Sequence, residues 1–305
     1  MNENGNNYHI PVLFNECIEA LNIKPNGIYV DCTFGGGGHS RGILEKLNEQ
    51  GKLIVFDQDE DALRNLIDDE RVLFVPHNFK HIQRFLRLYK IEKVDGVLAD
   101  LGVSSHQFDE GSRGFSTRFD GPLDMRMNIN EALTAKQIIE TYTAPQLQLM
   151  FQEYGQVTNS KTLAQHIVAK RNETELQTIS QFKVMISSLV KGNPNKYLAQ
   201  VFQALRIEVN DEVGALKELL QQLPNILKQS GRAAIITFHS LEDRLVKNFF
   251  KNGSFEIEED LNPFSTSVKE KIFQLINKKP IEAAQDELKR NTRSRSAKLR
   301  VAEKL

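Results

Sequence analysis

The feature that most restricts the fold of this chain is the alternation of short apolar runs with helical periodicities over its first hundred residues. Residues 28–33 read as a buried strand, followed by a glycine cluster and a helix over about 39–48. Residues 53–57 read as a second strand with a helix at 60–67, and residues 72–76 as a third. The next helix, at 79–89, places Ile82, Phe85, Leu86 and Tyr89 on one face, and residues 94–101 make a fourth strand. Strands that each hand over to a helix return to the sheet in the same direction, which predicts a parallel α/β sheet with helices on both faces.

The pattern changes near His106. From there to about Lys191 strand signal is scarce, and helical periodicities cover residues 135–141, 145–154, 159–171 and 178–190. Sheet character resumes at residues 232–238, preceded by a helix over about 208–228. A helical stretch between strands of one sheet reads as an insertion. The expected domains are residues 1–105 with 206–305, and an all-helical insert over 106–205. A chain of 305 residues can bury such cores without covalent staples. Its two cysteines, Cys17 and Cys32, lack metal-site spacing, which argues against a disulfide framework or structural zinc and for a reducing compartment. Residues 1–8 are polar and Asn-rich, unlike a signal peptide, and no run approaches the roughly 20 apolar residues of a membrane span. These readings place the protein in the cytoplasm, away from membranes. A net charge of −1 neither favours nor excludes a polyanionic partner.

The most informative segment is Asp31-Cys32-Thr33-Phe34-Gly35-Gly36-Gly37-Gly38-His39-Ser40. A strand that ends in glycines and turns into a helix lets backbone approach whatever occupies the carboxyl edge of the sheet, where ligands of open α/β folds bind. A nucleoside-triphosphate loop needs Gly-Lys-Ser/Thr, and no Lys is present. A dinucleotide fingerprint fits poorly, because Ser40 stands at its third small position. A tight turn without a ligand is the alternative. The second strand ends at Asp57, which can accept the hydroxyls of a ribose, while Asp59 better suits a helix cap. After the third strand, Phe79 could pack on an adenine or belong to the core. The fourth strand ends in Asp100, followed by Gly102, Ser104 and Ser105, and an ionisable residue closing an apolar strand needs a partner.

Several strings resemble the RsmH (MraW) family of small-subunit ribosomal RNA methyltransferases. They are His9-Ile10-Pro11-Val12-Leu13, Asp100-Leu101-Gly102-Val103-Ser104-Ser105-His106-Gln107-Phe108-Asp109, Arg113-Gly114-Phe115-Ser116 and Asp120-Gly121-Pro122-Leu123-Asp124-Met125-Arg126-Met127. Phe202-Gln203-Ala204-Leu205-Arg206-Ile207, Phe238-His239-Ser240-Leu241-Glu242-Asp243-Arg244 and Arg293-Ser294-Arg295-Ser296-Ala297-Lys298-Leu299-Arg300 follow in family order. The resemblance implies a Rossmann-like class I methyltransferase sheet with an inserted helical domain. It also implies S-adenosylmethionine as cofactor and N4 of a cytosine in the decoding region of 16S rRNA as target. Carried over by residue, Gly37, Gly38, His39, Asp57, Phe79, Asp100 and Gln107 would contact the cofactor. The chain departs from the family at His106, at Gln156-Val157 and at Lys196-Tyr197-Leu198-Ala199-Gln200.

Methyl transfer from a sulfonium calls for positioning rather than a metal or a covalent intermediate. The amino nitrogen of cytosine is a poor nucleophile, and an acceptor for its protons would help. Asp100, Ser104 and Ser105 are the candidates, with no residue assigned as catalytic. His9 and His239 could line the pocket, though hydrogen-bonded structural histidines are the plainer reading. Lys289, Arg290, Arg293, Arg295, Lys298 and Arg300 form a basic run without an acid, and Arg113, Arg118 and Arg126 add charge after the fourth strand. These would suit RNA with a splayed base, although a solvated basic tail fits the run equally. The rival readings are a nicotinamide oxidoreductase and a non-catalytic RNA-binding assembly factor. A homodimer is compatible with the sequence, which leaves the oligomeric state open.

Overall fold

A computed structural model describes residues 11–173, 175–255 and 271–305. Its described residues form two compact units, one within Met1–Gly102 and Gly214–Leu305, the other within Val103–Val213. The sequence placed the corresponding divisions at 105/106 and 205/206. His9 and Ile10 lie outside the described residues.

The first unit is built on β1 (Ile28–Asp31), β2 (Lys52–Phe56), β3 (Val72–Val75), β4 (Val94–Asp100), β5 (Leu227–Thr237), β6 (Phe273–Leu275) and β7 (Lys298–Lys304). They form one sheet in the order β3-β2-β1-β4-β5-β7-β6. Pairings from β3 through β5 are parallel, as the alternation predicts. β7 runs antiparallel between β5 and β6, so the sheet is mixed rather than wholly parallel. This is the expected Rossmann-like α/β sheet. The interior strands are buried throughout: Val30, Leu53, Val55, Val97, Leu98 and Ile235 have essentially no exposure. Strands covered on both faces read as continuous apolar runs, which is why the sequence exposed them.

Strand order reverses between β1 and β4, and such a reversal opens a crevice outside the carboxyl ends of the strands. Registry sets the neighbours there. Asp31 at the end of β1 lies beside Val55 on β2 and Leu98 on β4, and Asp100 at the end of β4 lies beside Ile236 on β5.

Three sequence expectations are corrected. Residues 60–65 form a 3-10 helix capped by Asp59, whose side chain accepts from Asp61 N, not an α-helix. The helix expected at 208–228 is the end of Pro194–Asn210 and a second helix, Glu212–Ile226, parted by Asp211 at φ +48°. The end of the basic run is not a tail. Lys298 and Arg300 belong to β7, and the buried Arg300 guanidinium bonds Asp243 at 2.6 and 3.1 Å.

In the second unit the helices Ala135–Thr141, Ala144–Glu153, Ser160–Lys170, Ile179–Ile186 and Pro194–Asn210 pack around Ile138, Phe151, Leu163, Phe182 and Leu205. Thr134 with Gln137, Thr143 with Gln146, and Thr178 with Gln181 make capping boxes at three helix starts. Each satisfies backbone N–H groups that the helix itself leaves free. Asn210 ties the preceding loop to the last of these helices, accepting from Met127 N and donating to Met125 O.

Candidate functional site

The glycine cluster links β1 to the helix Gly38–Leu44. Gly35 and Gly37 take φ of +50° and +72°, a region that strains residues with a Cβ. A Cβ on Gly38 would overlap the ring of Pro11, so this glycine is required by packing. Gly36 is different. It has no positive φ, and a Cβ there would meet nothing within 4 Å. The fold does not require a glycine at 36, and the space above it is open.

The loop is held in shape by side chains. Arg41 Nη1 donates to Gly36 O at 2.8 Å, and Asn65 Nδ2 donates to Gly35 O at 3.0 Å. From the other side Asp57, at the end of β2, accepts from Gly35 N through Oδ2 at 2.7 Å and from Asp59 N through Oδ1 at 2.9 Å. Burial pushes the Asp57 carboxyl up to about 6, against the pull of these two backbone bonds. Asp31, which the sequence reading missed, is buried with both oxygens engaged: Oδ2 accepts from Ser40 Oγ at 2.6 Å and Oδ1 from Thr33 N at 3.0 Å. It could have been found by the argument applied to Asp100, an ionisable residue closing an apolar strand.

Asp100 is handled otherwise. Its backbone N donates to Thr33 Oγ1 at 2.7 Å, but its Oδ1 is buried with no hydrogen-bond partner among the described residues. Desolvation first, then the carboxylates of Asp31 and Glu242, push this carboxyl up to about 8, so it is largely protonated at neutral pH. His39 lies on its other side. His39 Nε2 sits 3.0 Å from Val12 O and must carry the proton there. That leaves Nδ1 as an acceptor, 3.9 Å from Asp100 Oδ2. Burial lowers the pKa of the ring, which keeps it neutral.

Phe79 opens the 3-10 turn Phe79–His81 after β3 and is half-buried. Asn78 fixes its approach, accepting from Lys80 N at 2.9 Å and donating to Gln58 Oε1, next to Asp57, at 2.9 Å. Beyond β5, His239 caps the helix Ser240–Asn252, and the buried Glu242 accepts from Phe238 N at 2.9 Å. Glu242 Oε1 lies 3.2 Å from His239 Nε2. His239 Nδ1 accepts from Glu242 N at 3.4 Å, while its Nε2 is buried with no hydrogen-bond partner among the described residues. Glu242 was not singled out from sequence; its spacing of three from a cap residue is the signal that could have found it.

The first unit therefore brings Gly37, Gly38, His39, Asp57, Phe79 and Asp100 to one sheet edge. Ser104, Ser105 and Gln107 belong to the second unit. There Ser104 and Gln107 form a capping box for the helix Ser105–Asp109: Ser104 Oγ accepts from Gln107 N, and Gln107 Oε1 accepts from Ser104 N. The Ser105 side chain is not described. Arg113 donates to the carbonyls of Arg126 and Met127, and Arg126 is bidentate on Asp124 while also bonding the carbonyls of Ile129 and Glu131. These two arginines hold their own loop. Arg118 is 60 % exposed.

The sheet edge suits an adenosine-containing ligand with a cationic end. Asp57 retains lone pairs for hydroxyls, the space at Gly36 admits close approach, and the orphaned Asp100 Oδ1 calls for a donor. Among the described residues no His, Cys, Asp and Glu cluster fits a metal ion, and no helix is long and apolar enough to cross a membrane.

Comparison with known proteins adds the following. The profile of the MraW methylase family matches residues 6–305. Ribosomal RNA small subunit methyltransferase H of Bacteroides thetaiotaomicron is 52 % identical over 298 residues, covering 97 % of each chain. The protein of the same name from Bacteroides fragilis strain YCH46 is 50 % identical over 305 residues, covering 100 % of each. Among solved structures, an rRNA methylase from Streptococcus thermophilus aligns over 96 % of this chain and 93 % of its own, at 12 % identity and a TM-score of 0.40.

Proposed function

The chain belongs to the MraW methylase family, and from that premise we propose that it methylates the N4 amino group of one cytosine in the decoding region of 16S rRNA. It is an S-adenosylmethionine-dependent methyltransferase of small-subunit ribosomal RNA, built on a class I methyltransferase sheet. Full-length relatives at about half identity carry that name. The observation that carries the site assignment is the buried, unpartnered Oδ1 of Asp100 at the topological switch point.

The cofactor supplies a methyl group already activated on a sulfonium. The protein's work is binding, orientation and exclusion of water. Asp57 accepts the ribose hydroxyls with lone pairs left over from Gly35 N and Asp59 N. Phe79 lies against the adenine end. Asp100 receives the amino-acid end through Oδ1, and a cation there draws its carboxyl toward the ionised form. His39, kept neutral by burial, adds no positive charge to compete with that cation.

Activation of the cytosine amino group needs an acceptor, because its lone pair is delocalised into the ring. Of the three candidates, Asp100 is committed to the cofactor in this reading, and Ser104 Oγ already accepts the N–H of Gln107. Transfer leaves an extra proton on the nitrogen, which departs to solvent.

Incubation with radiolabelled S-adenosylmethionine and small subunits lacking the modification is expected to label 16S rRNA at a cytosine, read as N4-methylcytidine by nuclease digestion and mass spectrometry. Label on another base or another position of the cytosine ring would reject the N4 assignment. No incorporation at all would reject the enzyme reading.

A further inference from the structure

The loop 110–122 of the second unit is folded on its glycines. Gly114 takes φ of +77°, with no room for a Cβ against Pro122 O, and a Cβ on Gly121 would strike Gly111 O. Gly111 packs against Phe119, where a Cβ would come within 3.0 Å of that residue's own Cβ. The loop is also bolted to the helix Ile179–Ile186. Asp120 accepts from Ser180 N at 3.0 Å, Gly121 O accepts from Ile179 N at 3.0 Å, and Lys183 Nζ donates to Thr117 O at 3.1 Å.

This rigid frame holds two side chains partly in water. Phe119 is 44 % exposed and Arg118 60 %. The Arg118 guanidinium lies over two rings at once, 5.0 Å from the centroid of Phe108 and 5.9 Å from that of Phe119. Its Nε and N both reach Ser116 Oγ, at 3.4 and 3.3 Å, which orients the planar group. A partly exposed ring beside a planar cation, on a loop with this many constraints, makes a patch rather than a lone surface apolar residue. Nor does the patch attract by charge, since Arg118 meets Asp109 at 3.4 Å and Lys183 acts electrostatically on Asp120.

We propose that Arg118 and Phe119 form a stacking platform for an unpaired nucleobase of the RNA substrate. Flat rings and a planar cation held with almost no net charge suit the π-face of a base, not the phosphates of a duplex. The inference rests on the reading of the protein as an RNA methyltransferase and adds where, within the second unit, a base of that RNA is gripped.

The test uses the full-length protein and a short single-stranded oligoribonucleotide carrying one 2-aminopurine, with the same strand annealed to its complement as control. Wild type is expected to bind the single strand more tightly than the duplex and to quench the probe. Phe119→Leu keeps apolar bulk against Gly111 but has no π-face; it should lose affinity about tenfold. Phe119→Tyr should bind as wild type does. Arg118→Lys, which keeps the charge without the plane, should also weaken binding. The salt dependence of Phe119→Leu should match that of wild type, because no phosphate contact is removed. Equal binding by Phe119→Leu and wild type overturns the proposal, as does equal loss in the Leu and Tyr variants or equal affinity of wild type for duplex. Two parallel readouts separate this from the broader reading. The affinity of Phe119→Leu for S-adenosylhomocysteine should be unchanged, and methyl transfer by wild type to small subunits stands or falls independently of the platform.

Discussion

Asp57 and Asp100 close strands on either side of the same crevice, yet their surroundings are opposites. On the β1–β2 side the polar groups are satisfied within the chain. Asp57 takes two backbone N–H groups, Asp31 takes Ser40 and Thr33, and Arg41 and Asn65 bind the carbonyls of the glycine loop. On the β4 side Asp100 Oδ1 is buried and unpartnered, and the carboxyl is driven toward its neutral form by burial and by the charges of Asp31 and Glu242. One half of the edge is a finished scaffold that a ligand can join without rearranging it. The other half is completed by the ligand. Shape comes from the first half and the strongest single interaction from the second, since a polar atom left alone in a buried site is expensive.

The comparison breaks most readily at Asp100. Asp100→Ala is expected to lower affinity for S-adenosylhomocysteine by about a hundredfold, the scale of a buried charge-assisted hydrogen bond, as read by titration calorimetry. A loss smaller than that of Asp57→Ala would invert the assignment of the two halves. Asp57→Ala should cost about tenfold in the same titration. It should also destabilise the fold by about 1–3 kcal/mol in urea, because Gly35 N and Asp59 N both lose their acceptor.

Acidity offers a third contrast. Unfolded, Asp100 ionises near pH 4; folded, it holds its proton until about 8. Between these values the native state binds more protons, so the contribution of Asp100 to stability is full at low pH and declines as pH rises through that window. Thermal melts should show this decline in wild type and a flatter profile in Asp100→Asn. If the ligand's cation ionises Asp100, binding at pH 7 should release close to one proton, visible as a dependence of calorimetric enthalpy on the buffer. The smallest effect is expected at Gly36. Gly36→Ala should bind the ligand several-fold more weakly while leaving stability unchanged or raising it by about 0.4–1 kcal/mol, since alanine fits that backbone and restricts the unfolded chain. Unchanged affinity would mean that the open space at 36 faces only solvent.

The first four strands were legible because burial on both faces writes itself into the chain as unbroken apolar runs. Asp57 and Asp100 were legible as polar residues ending such runs. What escaped depends on partners distant in sequence. Lys298 and Arg300, at the start of β7, read from sequence as the end of a basic run; the pairing of Arg300 with Asp243, 57 residues away, accommodates that charge in the sheet. Arg113 and Arg126 likewise appear as free charge until the carbonyls they bind are known. The division of residues 208–228 into two helices turns on Asp211 adopting a left-handed backbone, which periodicity does not reveal.

The position of β7 bears on how the molecule is made. Among the described residues β6 joins the sheet through β7, which follows it in sequence, so a ribosome delivers the outer strand before the one that must lie inside it. Until β7 emerges, the rim of β5 offers open hydrogen-bonding groups along its length. A nascent chain in that condition is prone to pair with the wrong partner, and a nick near the carboxyl end would return the finished protein to the same hazard.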